Sequence, residues 1–317
     1  MASSTAHPQD QLLSDDTPVL DFTRLVSTTD AAALADLRRA LTAWGFFQLV
    51  NHGVEASLME KLRDLSRQFF ALRMEEKEKY AQPANHFEGY SKAPAEENRS
   101  DDWNERMYIL ALPKSDHNLR YWPQYHQSFR DTLMEYADGV KKIEEQLLKA
   151  MARSISLPED CFLKGYGNRP TMLARLGLYP PSAHPDQVLG IKPHTDGSGI
   201  TFLLQDDDVE GLQVLKDGQW RSVPALPRAF LVNLGDQMEI LSNGVFCSPM
   251  HRVLTNSEKP RMTLAMFCSP DVDHDVEPVE KLVSSTRPRL FKKVRNYGTT
   301  FFPSFQQGKR AIDALRI

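Results

Sequence analysis

Cysteine is scarce in this 317-residue chain: Cys161, Cys247 and Cys268 are odd in number, far apart and without metal-ligand spacing. They offer no disulfide framework, and a reducing compartment fits best. No apolar run approaches the ~18 residues that a membrane-spanning helix requires, and Met1–Asp10 lacks the apolar centre of a secretory signal. The C-terminal Leu315-Arg316-Ile317 is neither a prenylation nor a peroxisomal ending. A cytoplasmic protein is expected. Long runs of one charge are missing too: Lys and Arg are scattered, net charge is −4 and the pI is near 6.2, which argues against nucleic acid or an anionic membrane as partner. Internal repeats and low-complexity linkers are also absent, so one folded unit is expected.

What is present is ordinary soluble composition, 41% hydrophobic and 25% charged. Residues 1–16 read as a loose tail. The stretch 17–170 is mainly helical. Ser27-Thr28-Thr29-Asp30 supplies capping oxygens for a helix with Leu34, Leu37 and Leu41 at helical spacing, which Gly45 stops. Phe46–Val50 reads as a buried strand, and a second helix carries Leu58, Leu62, Leu65 and Phe69. His52 has no second ligand type at useful spacing and reads as structural. Residues 81–102 suggest an exposed loop or lid. In the strand-like run after it, Arg106, Tyr108 and Leu110 alternate with Met107 and Ile109, and alternation alone does not say which set faces a pocket. From Gln127 to Ile155 runs the longest helical stripe.

From residue 171 to 317 the pattern changes to about eight short extended segments divided by Gly, Pro and Asp, as in a sandwich or jelly roll. They fall at 171–179, 187–194, 200–205, 211–215, 219–223, 229–234, 245–254 and 261–268, with a terminal helix expected over 306–317. The fold class is α+β, the helices covering the outside of the sheets.

Within that half, His194 and Asp196 are two apart, so on a strand both side chains leave one face. His251, on another extended segment, is a candidate third ligand. Two His and one carboxylate with positions left open opposite form the facial triad of non-haem Fe(II) oxygenases. After a turn-like Asn256–Pro260 come Arg261 and Thr263, a guanidinium fork and a hydroxyl of the kind that a carboxylate-bearing cosubstrate needs.

These residues stand among others that together resemble one family. Trp44-Gly45-Phe46-Phe47, Asn51-His52-Gly53-Val54, Tyr179-Pro180-Pro181, Lys192-Pro193-His194-Thr195-Asp196-Gly197, Gly211-Leu212-Gln213-Val214, Asn233-Leu234-Gly235-Asp236 and His251-Arg252-Val253 are similar to the motifs of plant 2-oxoglutarate- and Fe(II)-dependent dioxygenases, in the branch with alkaloid hydroxylases and demethylases. The resemblance implies a distorted double-stranded β-helix, a jelly-roll relative, with N-terminal helices around it. It implies His194, Asp196 and His251 as iron ligands, and Arg261, Thr263 and Tyr179 around the far carboxylate of 2-oxoglutarate. Fe(II), 2-oxoglutarate and O2 are the cofactor and cosubstrates it calls for. The reaction would be hydroxylation or oxidative demethylation of a small alkaloid, phenolic or hormone-like molecule, with succinate and carbon dioxide as coproducts. Phe267, Tyr108 and Arg106 match positions that meet substrate, although Phe267 could equally be core and Arg106 could point to solvent. A monomer is expected.

Two departures from the family pattern stand out. Thr263 replaces the usual Ser and keeps its hydroxyl. Gly177-Leu178-Tyr179 replaces Asn-Tyr-Tyr, removing an amide that can help to hold 2-oxoglutarate, so that exchanging Gly177 for Asn is expected to tighten the cosubstrate. A non-catalytic cupin-like metal or small-molecule binder, and an iron oxidase that does not use 2-oxoglutarate, are the alternatives.

Overall fold

The computed structural model describes residues 17–84, 86–92, 102–185 and 187–317. The tail expected over residues 1–16 and the stretch 93–101 of the expected lid lie outside them.

Carboxylates open the first helices. Asp21 ends strand β1 (Val19–Asp21) and accepts from Thr23 N at 2.8 Å, starting helix α1 (Phe22–Val26). Asp30 accepts from Ala33 N, also at 2.8 Å, and caps α2 (Ala31–Ala43). Each satisfies a donor that a first helical turn leaves without a partner. Strand β2 (Phe46–Val50) follows, then α3 (Ala56–Ala71), which turns Met59, Leu62, Leu65 and Phe69 inward. The short α4 (Met74–Glu78) leads to the antiparallel pair β3 (Gly89–Lys92) and β4 (Glu105–Leu112). The long helix α5 (Phe129–Ser154) buries Leu133, Val140, Leu147 and Met151 along one stripe, and the short α6 (Cys161–Gly165) follows it. Burying a large apolar side chain stabilises by roughly 1.5–3 kcal/mol. That stripe therefore outweighs the roughly 1 kcal/mol that a glycine such as Gly139 costs inside a helix.

Apart from a separate two-stranded pair of Asp275–Val276 with Val294–Arg295, the remaining strands divide between two sheets. β5 (Thr171–Tyr179), β7 (Ile200–Leu204), β10 (Phe230–Leu234) and β12 (Arg261–Ser269) enter a large sheet of order β1-β2-β10-β7-β12-β5-β4-β3. β6 (Leu189–His194), β8 (Leu212–Lys216), β9 (Gln219–Ser222) and β11 (His251–Leu254) form a small one of order β6-β11-β8-β9. This is a distorted double-stranded β-helix. Because side chains alternate along a strand, β12 sends Leu264, Met266 and Cys268 into the core shared with α5. Its Arg261, Thr263, Ala265 and Phe267 take the other face, where Phe46, Tyr179 and Leu231 pack on Leu212, Val214 and Val253 of the small sheet. Strands β1 to β4 lie before residue 171, so the N-terminal region builds half of the large sheet as well as its helical cover.

Three local features differ from the sequence reading. A short helix, α7 (Asp236–Leu241), follows β10 where no element was expected, and the strand expected over 245–254 is confined to β11. The C-terminal helix α8 spans Gly298–Gln306 instead of 306–317. Gly308, at φ 67°, turns the chain out of it into a single 3-10 stretch, Ala311–Leu315. That stretch is tied down by Arg310 and Arg316, which donate to the two oxygens of Glu239 on α7 at 2.8 and 3.0 Å. Among the described residues no helix is long and apolar enough to cross a membrane, and the three cysteines are free.

Candidate active site

The small sheet brings the distant histidines together. In the β6–β11 ladder His251 stands directly opposite His194, and Asp196 lies just past the end of β6. Asp196 Oδ1 is 3.7 Å from His194 Nε2 and 3.6 Å from His251 Nε2. The three ligand atoms fall within 4.8 Å of one another, close enough to share one ion. His194 Nδ1 lies 2.8 Å from Lys192 O and His251 Nδ1 3.1 Å from Pro249 O. A carbonyl only accepts, so each Nδ1 carries the proton and each Nε2 turns its lone pair to the shared point.

Asp196 is fixed from behind. Its Oδ2 accepts from Thr201 Oγ1 at 2.6 Å and Asn233 Nδ2 at 2.7 Å, which leaves Oδ1 for a metal. Burial by itself would raise this carboxyl, but the neighbouring imidazoles and the two hydrogen bonds hold it below the usual range. Burial, then the neighbouring His251, keeps the His194 imidazole low and neutral, as ligation requires. Asp236, one layer deeper, accepts from Tyr297 Oη at 2.8 Å and Thr195 Oγ1 at 3.2 Å, and burial lifts it to about 6.

The large sheet contributes a buried guanidinium and hydroxyl. Arg261 is 2% exposed; its Nε donates to Val209 O at 3.2 Å and its Nη2 to Gln205 Oε1 at 3.1 Å, while Nη1 has no partner among the described residues. Thr263 Oγ1, two residues along the same face, is also buried without a partner among them. An unmet buried donor costs roughly 1–3 kcal/mol, more when charged. A carboxylate seated there would relieve both atoms, so these residues fit the far end of 2-oxoglutarate. Tyr179 stands opposite Arg261 in the β12–β5 register, its ring 5.5 Å from the guanidinium carbon.

The expected substrate residues share this face. In register across the sheet, Thr263 is level with Gly177 and Arg106, and Ala265 with Arg175 and Tyr108. Arg106, Tyr108 and Phe267 are all half-buried, and the Tyr108 and Phe267 rings lie 6.5 Å apart at 30°. His52 lies elsewhere, with Nε2 on Arg228 O at 2.9 Å and its ring on Phe230.

Two features of the candidate site escaped the sequence reading. Arg175 is buried on the pocket face, its Nη1 donating to Tyr179 Oη at 2.9 Å and its Nη2 to Asn104 Oδ1 at 3.2 Å. Its position two residues before Gly177 on an expected strand was the available signal. It also bears on the expectation for Gly177: a Cβ there would lie 2.5 Å from Arg175 Nη1 and 3.2 Å from Thr263 Oγ1. The space beside Gly177 is occupied by the end of the Arg175 side chain, which an Asn would have to displace. The second feature is α8, whose Phe305 ring meets His194 edge-on at 5.5 Å. Phe301 stacks on Phe305 at 5.9 Å and crosses Gly197 so closely that a Cβ there would come within 2.6 Å of it. Lys192 Nζ, 4.9 Å from the Phe305 ring, reaches Gln306 O at 3.5 Å.

Comparison with known proteins agrees with this geometry. Residues 158–270 match the 2OG-Fe(II) oxygenase superfamily, and residues 17–128 match the N-terminal domain described as non-haem dioxygenase in morphine synthesis. Protein SRG1 of Arabidopsis thaliana is 37% identical over 305 residues, covering 95% of this chain and 85% of that protein. Codeine O-demethylase of Papaver somniferum is 38% identical over 282 residues, 88% of this chain and 78% of its own. A crystal structure of JOX2 in complex with 2OG, Fe and JA superposes with a TM-score of 0.88 at 34% identity, covering 95% of this chain and 89% of that one. Identity above one third sustained over nearly the whole length leaves one conclusion, that the chain belongs to the 2OG-Fe(II) oxygenase superfamily and is a 2-oxoglutarate-dependent non-haem iron dioxygenase.

Proposed function

We propose that His194, Asp196 and His251 hold the Fe(II), that Arg261, Thr263 and Tyr179 hold the far carboxylate of 2-oxoglutarate, and that Phe267, Tyr108 and Arg106 face the substrate. The observation that carries this reading is the pair of buried polar atoms without partners among the described residues, Arg261 Nη1 and Thr263 Oγ1, on the face that packs against the small sheet carrying His194 and His251. A non-catalytic metal binder would have no use for them.

Iron and 2-oxoglutarate, held by these residues, would supply the oxidising chemistry that turns a substrate C–H into C–OH, with O2 as oxidant and succinate and carbon dioxide as coproducts. The chain's residues prepare the place for it. The Nδ1 hydrogen bonds of both histidines fix their rings, and Thr201 and Asn233 fix Asp196. Phe301 and Phe305 roof the triad with apolar surface that keeps water from the reacting carbon. On an O-methyl group the product alcohol breaks down to formaldehyde and a free hydroxyl, so one site serves hydroxylation and demethylation alike.

The substrate class is a small, partly aromatic plant-type specialised metabolite or hormone. The flat apolar roof of Phe301 and Phe305 and the Tyr108–Phe267 pair support it, as do a relative named for codeine demethylation and a structural neighbour crystallised with JA. The protein acts as a cytoplasmic monomer, with neither nucleic acid nor membrane as partner.

The test needs no substrate. Purified apoprotein is mixed without oxygen with Fe(II) and 2-oxoglutarate, and the weak visible charge-transfer band of an iron-chelated keto acid is sought. A band in the wild type that is lost in His194→Ala supports the reading. Bound iron without the band would shift the assignment to an oxidase or a binding module.

A further inference from the structure

We propose that Arg63 of helix α3 is a positioning residue for the cosubstrate, fixing the loop that aims the Arg261 guanidinium; this rests on the reading above.

Arg261 does not orient itself. Its Nη2 and Nε donate to Gln205 Oε1 and Val209 O, at the two ends of the loop that follows β7. Gly211, just past that loop, lies against the same side chain, where a Cβ would come within 3.2 Å of Arg261 Cδ. The direction of Arg261 Nη1 therefore depends on where residues 205–209 sit. Outside the strand ladders, no backbone N–H or carbonyl of residues 206–210 pairs with another backbone group among the described residues. Side chains hold the loop instead.

Two carboxylates of the run Asp206-Asp207-Asp208 do this, and they reach different elements. Asp206 Oδ2 accepts from Met262 N at 3.1 Å, which ties the loop to β12. Asp207 takes Arg63, whose Nη2 donates to Oδ1 at 2.9 Å and whose Nη1 donates to Oδ2. The same Nη2 also donates to Gln205 O at 2.8 Å. From a side chain only 7% exposed, Arg63 thus grips the loop at Gln205 and Asp207 together. Its last contact, Nη1 to Glu60 Oε1 at 2.6 Å, braces the fork from its own helix. A planar guanidinium meets a carboxylate and a carbonyl at once in this way, and a lysine ammonium does not.

Gln205 is the shared element. Its backbone carbonyl accepts from Arg63 Nη2 and its side-chain carbonyl from Arg261 Nη2. A displacement of Gln205 passes directly to the guanidinium proposed for the far carboxylate. None of the Arg63 hydrogen bonds goes to a triad residue, to Thr263 or to Tyr179. Its loss should therefore act on 2-oxoglutarate through Arg261 and leave the metal site alone.

The test titrates 2-oxoglutarate anaerobically into the Fe(II) protein and reads the charge-transfer band. Mn(II) affinity, followed by electron paramagnetic resonance, and thermal melting run in parallel. Arg63→Met should weaken 2-oxoglutarate about 10-fold, the scale of one misdirected charge-assisted hydrogen bond, with Mn(II) affinity at the wild-type level. Arg63→Lys, which keeps the charge but loses the fork, should fall between and covers the case in which Met fails to fold. In an Arg261→Ala background no guanidinium is left to aim, so the same Arg63 change should weaken 2-oxoglutarate by less than about 2-fold more. An arginine with a merely structural part would lower the melting temperature without this selective, non-additive loss. Wild-type 2-oxoglutarate affinity in both Arg63 variants, or in Lys alone where Met does not fold, overturns the proposal. So does an undiminished loss in the Arg261→Ala background. Absence of the band in the wild type despite bound iron would overturn the reading on which the inference rests, and the inference with it.

Discussion

His194 and His251 face each other across one antiparallel strand pair with ring centroids 4.2 Å apart, and each anchors its Nδ1 on the carbonyl two residues before it. The same local geometry is thus used twice to aim two Nε2 atoms at one point. Asp196 has no such backbone anchor for its side chain and depends on Asn233 and Thr201. Asn233→Ala should leave all three ligands in place yet lower Mn(II) or Fe(II) affinity about 10- to 100-fold, the usual effect of losing a partner behind a metal ligand. Metal-competition titration checks this; unchanged affinity would mean that Thr201 alone orients the carboxylate.

Arg261→Ala removes the buried donor that lies unpaired beside Thr263. The requirement for 2-oxoglutarate should rise about 10- to 100-fold or more, the range for hydrogen bonds to charged groups, while metal binding stays as it was. Equal loss of metal and 2-oxoglutarate would point to a folding defect instead.

Gly177→Asn, expected from the family pattern to tighten 2-oxoglutarate, is now expected to weaken it. The new side chain has to displace the Arg175 guanidinium that lies 2.5 Å from its Cβ position. Isothermal titration of 2-oxoglutarate into the Mn(II)-loaded variant decides the sign.

Glu239 gathers Arg310, Arg316 and the Ser248 N–H, and so pins the chain that leaves the aromatic helix. The arginines are 25% and 44% exposed, so solvent screens the pairs and their loss in Glu239→Gln should cost only about 1–3 kcal/mol. Limited proteolysis should then cut faster within 298–317, and succinate should form in excess of oxidised substrate as water reaches the triad. Wild-type cleavage and coupling together would show that the roof holds without this tie.

Glu144 of α5 is buried with Oε1 unpartnered, and burial pushes it up to about 8. Below the unfolded-state value of 4.5, both folded and unfolded chains keep the proton. Between there and about 8 only the folded chain keeps it, so its contribution to stability is lost as pH rises through that window, by at most 1.4 kcal/mol per unit. Glu144→Gln cannot ionise. Its melting temperature should exceed that of the wild type by more near pH 8.5 than near pH 5, and a gap independent of pH would place the carboxyl in contact with water.

The grouping of His194, Asp196 and His251 and the place of Arg261 on a strand were legible because they are encoded by short-range rules: a two-residue spacing on a strand, turn residues on either side, an Arg-x-Thr after a hairpin. The stripe of α5 was legible for the same reason, apolar residues at helical period. What was not legible depends on which strands lie side by side. Arg175 and Gly177 share a strand, and their spacing alone could have placed both on one face. That the guanidinium folds back over the glycine follows from Tyr179 and Asn104, and Asn104 lies 71 residues away. Likewise α8 has no fully buried residue and so no clear inward stripe. Its place over His194 is set by Lys192 and by the tie from Arg310 to Glu239, contacts invisible to a periodicity argument.

Strands β1 to β4 flank β10 and β5 in the large sheet, so the half of the chain that carries His194, Asp196 and His251 has two of its strands covered by the other half. Cutting the chain near residue 170 would uncover the backbone N–H and C=O rows of both, and such open edges recruit neighbouring molecules. Recombinant production of the catalytic half alone should therefore give aggregates. Exchanging substrate preference between relatives would best be attempted through β4 and α8 within an intact chain.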